Sequence, residues 1–348
     1  MDEKTSDTPI LINRYMLEKT IGSGGMAVVY LAQDLLLERK VAVKVLRKDF
    51  SQNKEFQNNF KAEAKAIAKL SHHNIVVVHD FGFDAGRLFI VMEFVEGTDL
   101  KTMINNQSIF HTNEAIQLIS QACEGLGYAH NNGIVHCDIK PHNFIISKQG
   151  LLKITDFGIA RALETIQPDE QHESVWGSPQ YFSPEQSAGK APSPASDVYS
   201  LGVILFEMVS GQLPFISEDA NELAQMHRSK KPPIPQNINQ NISNELNKLI
   251  LRSLEKDPKQ RFLNAHELGR ELNILPENKE PIKKIEIPDN SFSIKSKNED
   301  TKNKKIQKTK QQELNWTTIL LSLLALITVG GLIPFWLYIW LTFNSIGR

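Results

Sequence analysis

The stretch His136-Cys137-Asp138-Ile139-Lys140-Pro141-His142-Asn143 decides the fold, together with Asp156-Phe157-Gly158 that follows it. After a gap come Ser183-Pro184-Glu185 and then Asp197-Val198-Tyr199-Ser200. Upstream, Ile21-Gly22-Ser23-Gly24-Gly25-Met26-Ala27-Val28-Val29-Tyr30 is a glycine-rich turn between two strand-like stretches. Glycines let a backbone approach phosphates and present N–H groups to them. Many plain hairpins carry glycines too, so the turn alone says little. A dinucleotide-binding fingerprint needs a helix directly after the turn, whereas Val28 to Ala32 reads as strand. Further on, Val41-Ala42-Val43-Lys44 alternates as a strand with Lys44 on one face. A strand lysine is usually just solvated; one that faces a phosphate-binding loop is a candidate phosphate ligand. Phe60, Ala64, Ile67 and Leu70 then mark one face of a helix, and Glu63 on that helix is a candidate partner for Lys44.

The order and spacing of these strings resemble the protein-kinase signature set. The resemblance covers roughly 15–272, about three quarters of the chain. Asp138-Ile139-Lys140-Pro141-His142-Asn143 has the Ser/Thr form, and the whole resembles the eukaryotic-like Ser/Thr kinases of bacteria, many of them membrane-anchored. The resemblance implies an α+β bilobal kinase fold, with a small antiparallel-sheet lobe at about 15–94 and a large helical lobe at about 97–272. Helices are expected near 56–70, 113–131, 195–210 and 244–255. It also implies ATP with Mg²⁺ (or Mn²⁺ in its place), and transfer of the γ-phosphate to protein Ser/Thr hydroxyls, including those of the chain itself.

Residue by residue, the carry-over runs as follows. Phosphoryl transfer needs positioning and charge neutralisation more than covalent chemistry. Asp138 would orient the attacking hydroxyl and accept its proton, and Lys140 would neutralise charge on the transferring phosphate. Lys44 would grip the α- and β-phosphates, oriented by Glu63. Asn143 and Asp156 would supply hard oxygen ligands to the metal. Ile21, Gly22, Ser23 and Gly24 would cover the nucleotide, and Val29, Ala42 and Ile145 would sandwich the adenine. Met92 would be the gatekeeper, the backbone at Glu93 and Val95 would bind the adenine edge, and Asp99 would reach the ribose. Ser178 would support Asp138 and Lys140. Architectural roles fall to a Glu185–Arg261 ion pair, to Asp197 bracing the catalytic loop through its N–H groups, and to a column of Phe157, His136, Ile67 and Val78. Because all six of Lys44, Glu63, Asp138, Lys140, Asn143 and Asp156 are present, an active enzyme is favoured over a pseudokinase scaffold that only binds ATP. The segment Gly177-Ser178-Pro179 to Ser183-Pro184-Glu185 resembles a protein-substrate platform, which argues against a small-molecule kinase.

The chain beyond this region changes character. Residues 273–348 hold ten Lys and one Arg against seven acids, a net of +4, which leaves −5 for 1–272. The net charge of −1 gives no global pull toward nucleic acid. Residues 1–14 read as a polar lead, and no signal peptide is expected there. Residues 273–315 are rich in Lys, Asn, Glu, Ser and Gln and read as a basic flexible linker. Residues 316–343 contain no charged side chain, and 28 residues exceed the ~20 needed to span a bilayer. A C-terminal transmembrane helix is therefore expected, with a five-residue tail at 344–348. Gly330, Gly331 and Pro334 would kink a single crossing or close a re-entrant hairpin, and the single crossing is favoured. Seven lysines between 295 and 310 put the N-terminal side in the cytosol, with lipid as a partner, in what reads as a bacterial inner membrane. Self-association through neighbouring copies would follow from that anchoring. Two cysteines, Cys123 and Cys137, make no disulfide framework and suit a reducing compartment.

Two positions depart from the kinase pattern. Ala27 replaces the third glycine of the loop, a change of one methyl with little expected loss. Cys137 stands where the family has Arg, the residue that grips a phosphate on the activation loop. A thiol cannot make a bidentate guanidinium contact. Activity should therefore depend little on phosphorylation of Ser174, which occupies the usual phosphosite, or of Thr165. Ser174→Ala is expected to lower the phosphorylation rate by less than about tenfold, or ~1.4 kcal/mol in the barrier. A larger drop in a direct rate comparison with wild type would refute this.

Overall fold

The computed structural model describes residues 9–51, 54–157, 179–276 and residue 340. The chain divides into two units, 1–294 and 295–348, and the architecture below belongs to the first. Its six-stranded sheet runs through β1 (Ile10–Leu11), β2 (Tyr15–Ser23), β3 (Ala27–Asp34), β4 (Arg39–Leu46), β5 (Val78–Asp84) and β6 (Arg87–Glu93), with spatial order β1-β2-β3-β4-β6-β5. All neighbours are antiparallel. The strand expected at Val28–Ala32 is longer in both directions, because β3 pairs over its whole length with β4.

Both faces of this sheet are covered, as the β-branched run in β4 demands. Val41, Val43 and Val45 join Tyr15, Leu17, Phe89 and Val91 on one side. Ala42 and Leu46 join Ile90, Met92, Phe56 and Phe60 on the other. The two phenylalanines come from α2 (Lys54–Ile67), which follows the short α1 (Lys48–Ser51). The helix stops three residues short of the expected end at Leu70. Its apolar period continues past that stop because Leu70 is buried in a tight turn, where its N–H donates to the Ile67 carbonyl at 2.9 Å.

The large lobe begins with β7 (Gly97–Asp99), which pairs with β8 (Phe144–Ser147), itself paired with β9 (Leu152–Ile154). Around them lie α3 (Leu100–Gln107), α4 (Thr112–Asn131), α5 (Pro194–Ser210), α6 (Ala220–Ser229), α7 (Pro235–Ile238), α8 (Asn244–Ser253) and α9 (Ala265–Ile274). α4 and α5 each start one residue before the expected position, and α8 ends two before it. α5 starts early because Ser193 and Ser196 form a reciprocal capping box around Pro194. Every residue of α5 from Ala195 to Ser210 is buried. Gly202 lets α8 approach: a Cβ there would lie 2.6 Å from the Ser253 Cβ. Among the described residues no helix is long and apolar enough to cross a membrane. The expected span at 316–343 lies outside the described residues, Trp340 apart, as do the linker beyond Pro276 and the tail.

One polar contact ties this helical core together. Arg261, itself 1% exposed, meets Glu185 in a two-pronged pair with both N–O distances 2.8 Å. Ser196 donates to the same carboxylate at 2.6 Å, and Arg261 also donates to the carbonyls of Ala195 and Glu255. Burial alone would raise the Glu185 pKa, but the hydrogen bonds from Arg261 and Ser196 outweigh it and hold it below the usual carboxylate range. The pair therefore contributes stability above that range and loses it as pH falls through the depressed value. Glu185→Ala would leave a buried guanidinium without its carboxylate, and is expected to cost about 3–5 kcal/mol of unfolding free energy. Denaturant titration checks this; a loss below ~1 kcal/mol would mean that the backbone carbonyls alone satisfy Arg261.

Candidate active site

The loop between α4 and β8 is held from behind. Asp197, in the first turn of α5, accepts the backbone N–H groups of His136 at 2.8 Å and Cys137 at 3.0 Å. The His136 ring accepts the Asp138 N–H on Nδ1 at 3.2 Å, so its Nε2 carries the proton shared with the Thr155 carbonyl at 2.9 Å. That ring also packs on Phe157 with centroids 4.6 Å apart. Ile67 and Phe157 belong to one buried cluster with Val78 packed against it, so the expected column runs between the lobes. Cys137 sits at φ +70°, a left-handed conformation for a residue that disfavours it.

On the open side of this loop, Lys140 Nζ lies 2.7 Å from Asp138 Oδ2. Asn143, 3% exposed, uses its amide nitrogen to bond the Asp138 carbonyl at 2.7 Å. Its amide oxygen is thus the atom left for a cation. Asp156, at φ +66°, sets its carboxylate 2.8 Å from Lys44 Nζ. Burial pushes the Asp156 pKa up, but the Lys44 ammonium outweighs that, and the carboxyl stays ionised well below neutral pH. Two oxygen donors, one anionic and one neutral, fit a hard divalent cation that completes its shell with phosphate and water. No group of three or more His, Cys, Asp or Glu among the described residues forms a metal site by itself. The donor pair therefore suits a metal that arrives with a nucleotide.

Lys44 makes an ion pair with Asp156 that the sequence reading did not foresee. The left-handed backbone at Asp156 presents its carboxylate to Lys44, while Glu63 stays half-buried on α2.

The residues expected to face a nucleotide lie as follows. Ile21, Val29, Ala42, Met92 and Val95 share a cluster, with Val29 opposite Lys44 and Ala42 opposite Met92 in register. The turn at Gly22, Ser23 and Gly24 is closed by Gly24 N–H donating to the Ala27 carbonyl at 2.9 Å. Ala27 itself is 5% exposed, so its methyl fills the sheet core rather than obstructing the cleft. Met92 accepts a contact from Thr155 Oγ1 at 3.7 Å. Glu93 turns its side chain to Lys153 at 2.9 Å and gives its N–H to the Val77 carbonyl. Ile145 lies half-buried on β8, opposite Asp99. Asp99 caps α3, with its two oxygens accepting from Thr102 N at 3.0 Å and Thr102 Oγ1 at 2.6 Å. It can still accept from a ribose hydroxyl, but it also serves the helix. Gly158, Thr165, Ser174 and Ser178 lie outside the described residues.

Sequence reading missed two supports of the loop. Gln186 Nε2 donates to the Cys137 carbonyl at 2.7 Å, and His130 Nε2 meets Asp197 Oδ2 at 2.9 Å. Neither belongs to a short motif, and separations of 49 and 67 residues leave no local signal.

A bilobal frame, with an Asp–Lys–Asn loop in the cleft and a Lys–Asp pair across it, is the arrangement of a protein kinase. The family model for the protein kinase domain matches residues 15–271, and the chain belongs to that family. It is 40% identical over 259 residues to the serine/threonine-protein kinase PrkC of Bacillus subtilis, covering 74% of this chain and 40% of that protein. It is likewise 40% identical over 268 residues to PknB of Mycobacterium leprae, covering 76% and 43%. The chain thus spans about two fifths of the length of these curated relatives. The kinase domain of Mycobacterium tuberculosis PknI superposes with a TM-score of 0.62 at 25% identity, over 77% of this chain and 98% of that one. Membership of the family implies ATP and a divalent metal.

The electrostatics of the Lys44–Asp156 pair are testable. In Lys44→Met, burial of Asp156 is opposed only by the weaker pull of His136 and Lys140, so its pKa rises and metal–nucleotide binding becomes more acid-sensitive. Titration with a fluorescent ATP analogue and Mg²⁺ should show a loss of affinity between about pH 7.5 and 5.5 at least threefold larger than in wild type. Equal losses would show that Lys44 does not set this ionisation.

Proposed function

We propose that this chain is an active serine/threonine protein kinase, held at the cytosolic face of a membrane by its C-terminal segment. The observation that carries the reading is the joint placement of Asp138, Lys140 and Asn143 in one braced loop, with Lys44 brought to Asp156 at 2.8 Å. Asp138 hydrogen-bonds the acceptor hydroxyl and takes its proton. Lys140 faces the phosphoryl group in transfer and offsets its charge. Asn143 and Asp156 would hold Mg²⁺, which would supply positive charge to offset that of the phosphates. Lys44 orients the phosphates. Ile21 to Gly24 cover the nucleotide, Val29, Ala42 and Ile145 hold the adenine, and Asp99 accepts from the ribose. The names of the matched relatives support Ser/Thr acceptors, and substrates include neighbouring copies of the same chain.

Support for the anchor comes from the sequence. The uncharged stretch 316–343 follows a lysine-rich segment, and about 40 intervening residues would reach near 35 Å if they behaved as a flexible coil. Substrates would therefore be membrane-proximal proteins. The test uses the full chain in bilayers with labelled ATP and Mg²⁺. Wild type should label Ser and Thr, and Asp138→Asn should lower the rate by at least about 10²-fold, the low end for a lost general base. Asp156→Ala should abolish label. Nucleotide binding without any transfer in wild type would instead favour an ATP-binding scaffold. Deleting 316–348 should move the protein out of the membrane fraction while keeping the rate on a soluble peptide, and retention in that fraction would refute the anchor.

A further inference from the structure

We infer that Gln186 is a positioning residue for phosphoryl transfer, fixing the peptide plane that leads into Asp138; this deepens the kinase reading above and rests on it. Gln186 opens a single 3₁₀ turn, Gln186–Ala188, directly after the Glu185 that Arg261 pins to the helical core. Its carboxamide is held at both ends. Oε1 accepts the Ser183 N–H at 3.2 Å and the Ser183 hydroxyl at 3.0 Å. The Gln186 backbone N–H in turn donates to Ser183 Oγ at 3.3 Å. The atom that accepts an amide proton is the oxygen, so the other end is the NH₂ group. That group, Nε2, donates to the Cys137 carbonyl at 2.7 Å.

The Cys137 carbonyl and the Asp138 N–H are the two ends of one rigid peptide plane. The Asp138 N–H donates to His136 Nδ1 at 3.2 Å. Gln186 therefore grips this plane from one side and His136 from the other. The plane before it is held separately, by Asp197 Oδ1 on the Cys137 N–H at 3.0 Å. Cys137 sits at φ +70°, and a residue other than glycine keeps left-handed angles only where its surroundings impose them. Asp197 governs the φ side of that residue and Gln186 the ψ side. If the 137–138 plane turns over, ψ of Cys137 and φ of Asp138 change together. The Asp138 carboxylate then leaves its place 2.7 Å from Lys140 Nζ. The bond that prevents this spans 49 residues, from the catalytic loop to the Ser183-Pro184-Glu185 segment.

Two substitutions isolate the bond. Gln186→Met removes both polar ends at similar volume. Gln186→Glu keeps an acceptor for Ser183 and sets its second oxygen against the Cys137 carbonyl oxygen. Hydrogen exchange is read at single amides on the full-length protein in bilayers. Gln186→Met is expected to speed exchange at the Asp138 amide about tenfold, the scale of one lost hydrogen bond. The amides of residues 136 and 137, still held by Asp197, should change less than about threefold. With a peptide substrate, kcat should fall about tenfold and KM for ATP should change less than about twofold, because the loop acts in the transition state rather than on the bound nucleotide. Gln186→Glu should be at least as damaging in both measurements. Unchanged exchange at 138 in the Met variant would overturn the inference, as would a joint rise at 136, 137 and 138, which marks general loosening of the loop. A milder effect of Glu than of Met would also overturn it, since the Ser183 bonds would then carry the role. The exchange measurement needs no turnover, so an inactive wild type would sink the kinase reading and still leave this inference to be judged.

Discussion

The carboxylate of Asp197 is the constraint on which the site depends. A catalytic loop is irregular backbone, and irregular backbone inside a protein must find partners for its N–H groups. Asp197 supplies them for His136 and Cys137 from the first turn of a helix that is buried along its whole length. Negative charge is favourable at that end of a helix, where free N–H groups accumulate. The loop is thereby referenced to the stiffest element of the large lobe. Asp138, Lys140 and Asn143 inherit that rigidity, and their mutual distances of 2.7 Å follow from it.

The small lobe is joined to this frame more loosely. Its contributions to the cleft come from strand register, which fixes Val29, Ala42, Lys44 and Met92 relative to one another. Among the described residues the joins across the cleft include the Lys44–Asp156 pair, the Lys153–Glu93 pair at 2.9 Å, the backbone bonds of Ile154 with Asn74 and Val76 at 2.8 and 2.9 Å, and the column through Phe157. Phosphoryl transfer requires closure around the nucleotide.

Much of this was legible in the sequence, for a physical reason. Phosphate, metal and proton-accepting roles need particular side chains at short spacing, so Asp138, Lys140, Asn143 and Asp156 could be singled out through the family resemblance. Strands such as Val41–Lys44 show their faces by alternation. The Glu185–Arg261 pair and the bracing role of Asp197 were expected through resemblance, and both pairings are present. What sequence did not show depends on geometry between distant segments. The partner of Lys44 is set by the backbone angle at Asp156, which no residue type announces. The double duty of Asp99 as a helix cap, and the contacts of His130 and Gln186, arise from packing across 49 to 67 residues or from a local turn. The end of α2 was misplaced because Leu70 keeps the apolar period while the chain has already turned.

The two thiols have a practical consequence. The chain has only Cys123 and Cys137, and both are buried. Burial pushes the Cys123 thiol far above its ordinary pKa, so the nucleophilic thiolate is scarce there. Cys137 is 7% exposed and faces the Val135 carbonyl at 3.5 Å. A cysteine introduced on the surface, for instance at the 71% exposed Leu36 between β3 and β4, would thus be the preferred target for maleimide dyes or spin labels. The native background needs no removal before distances between the lobes are followed in solution by spectroscopy.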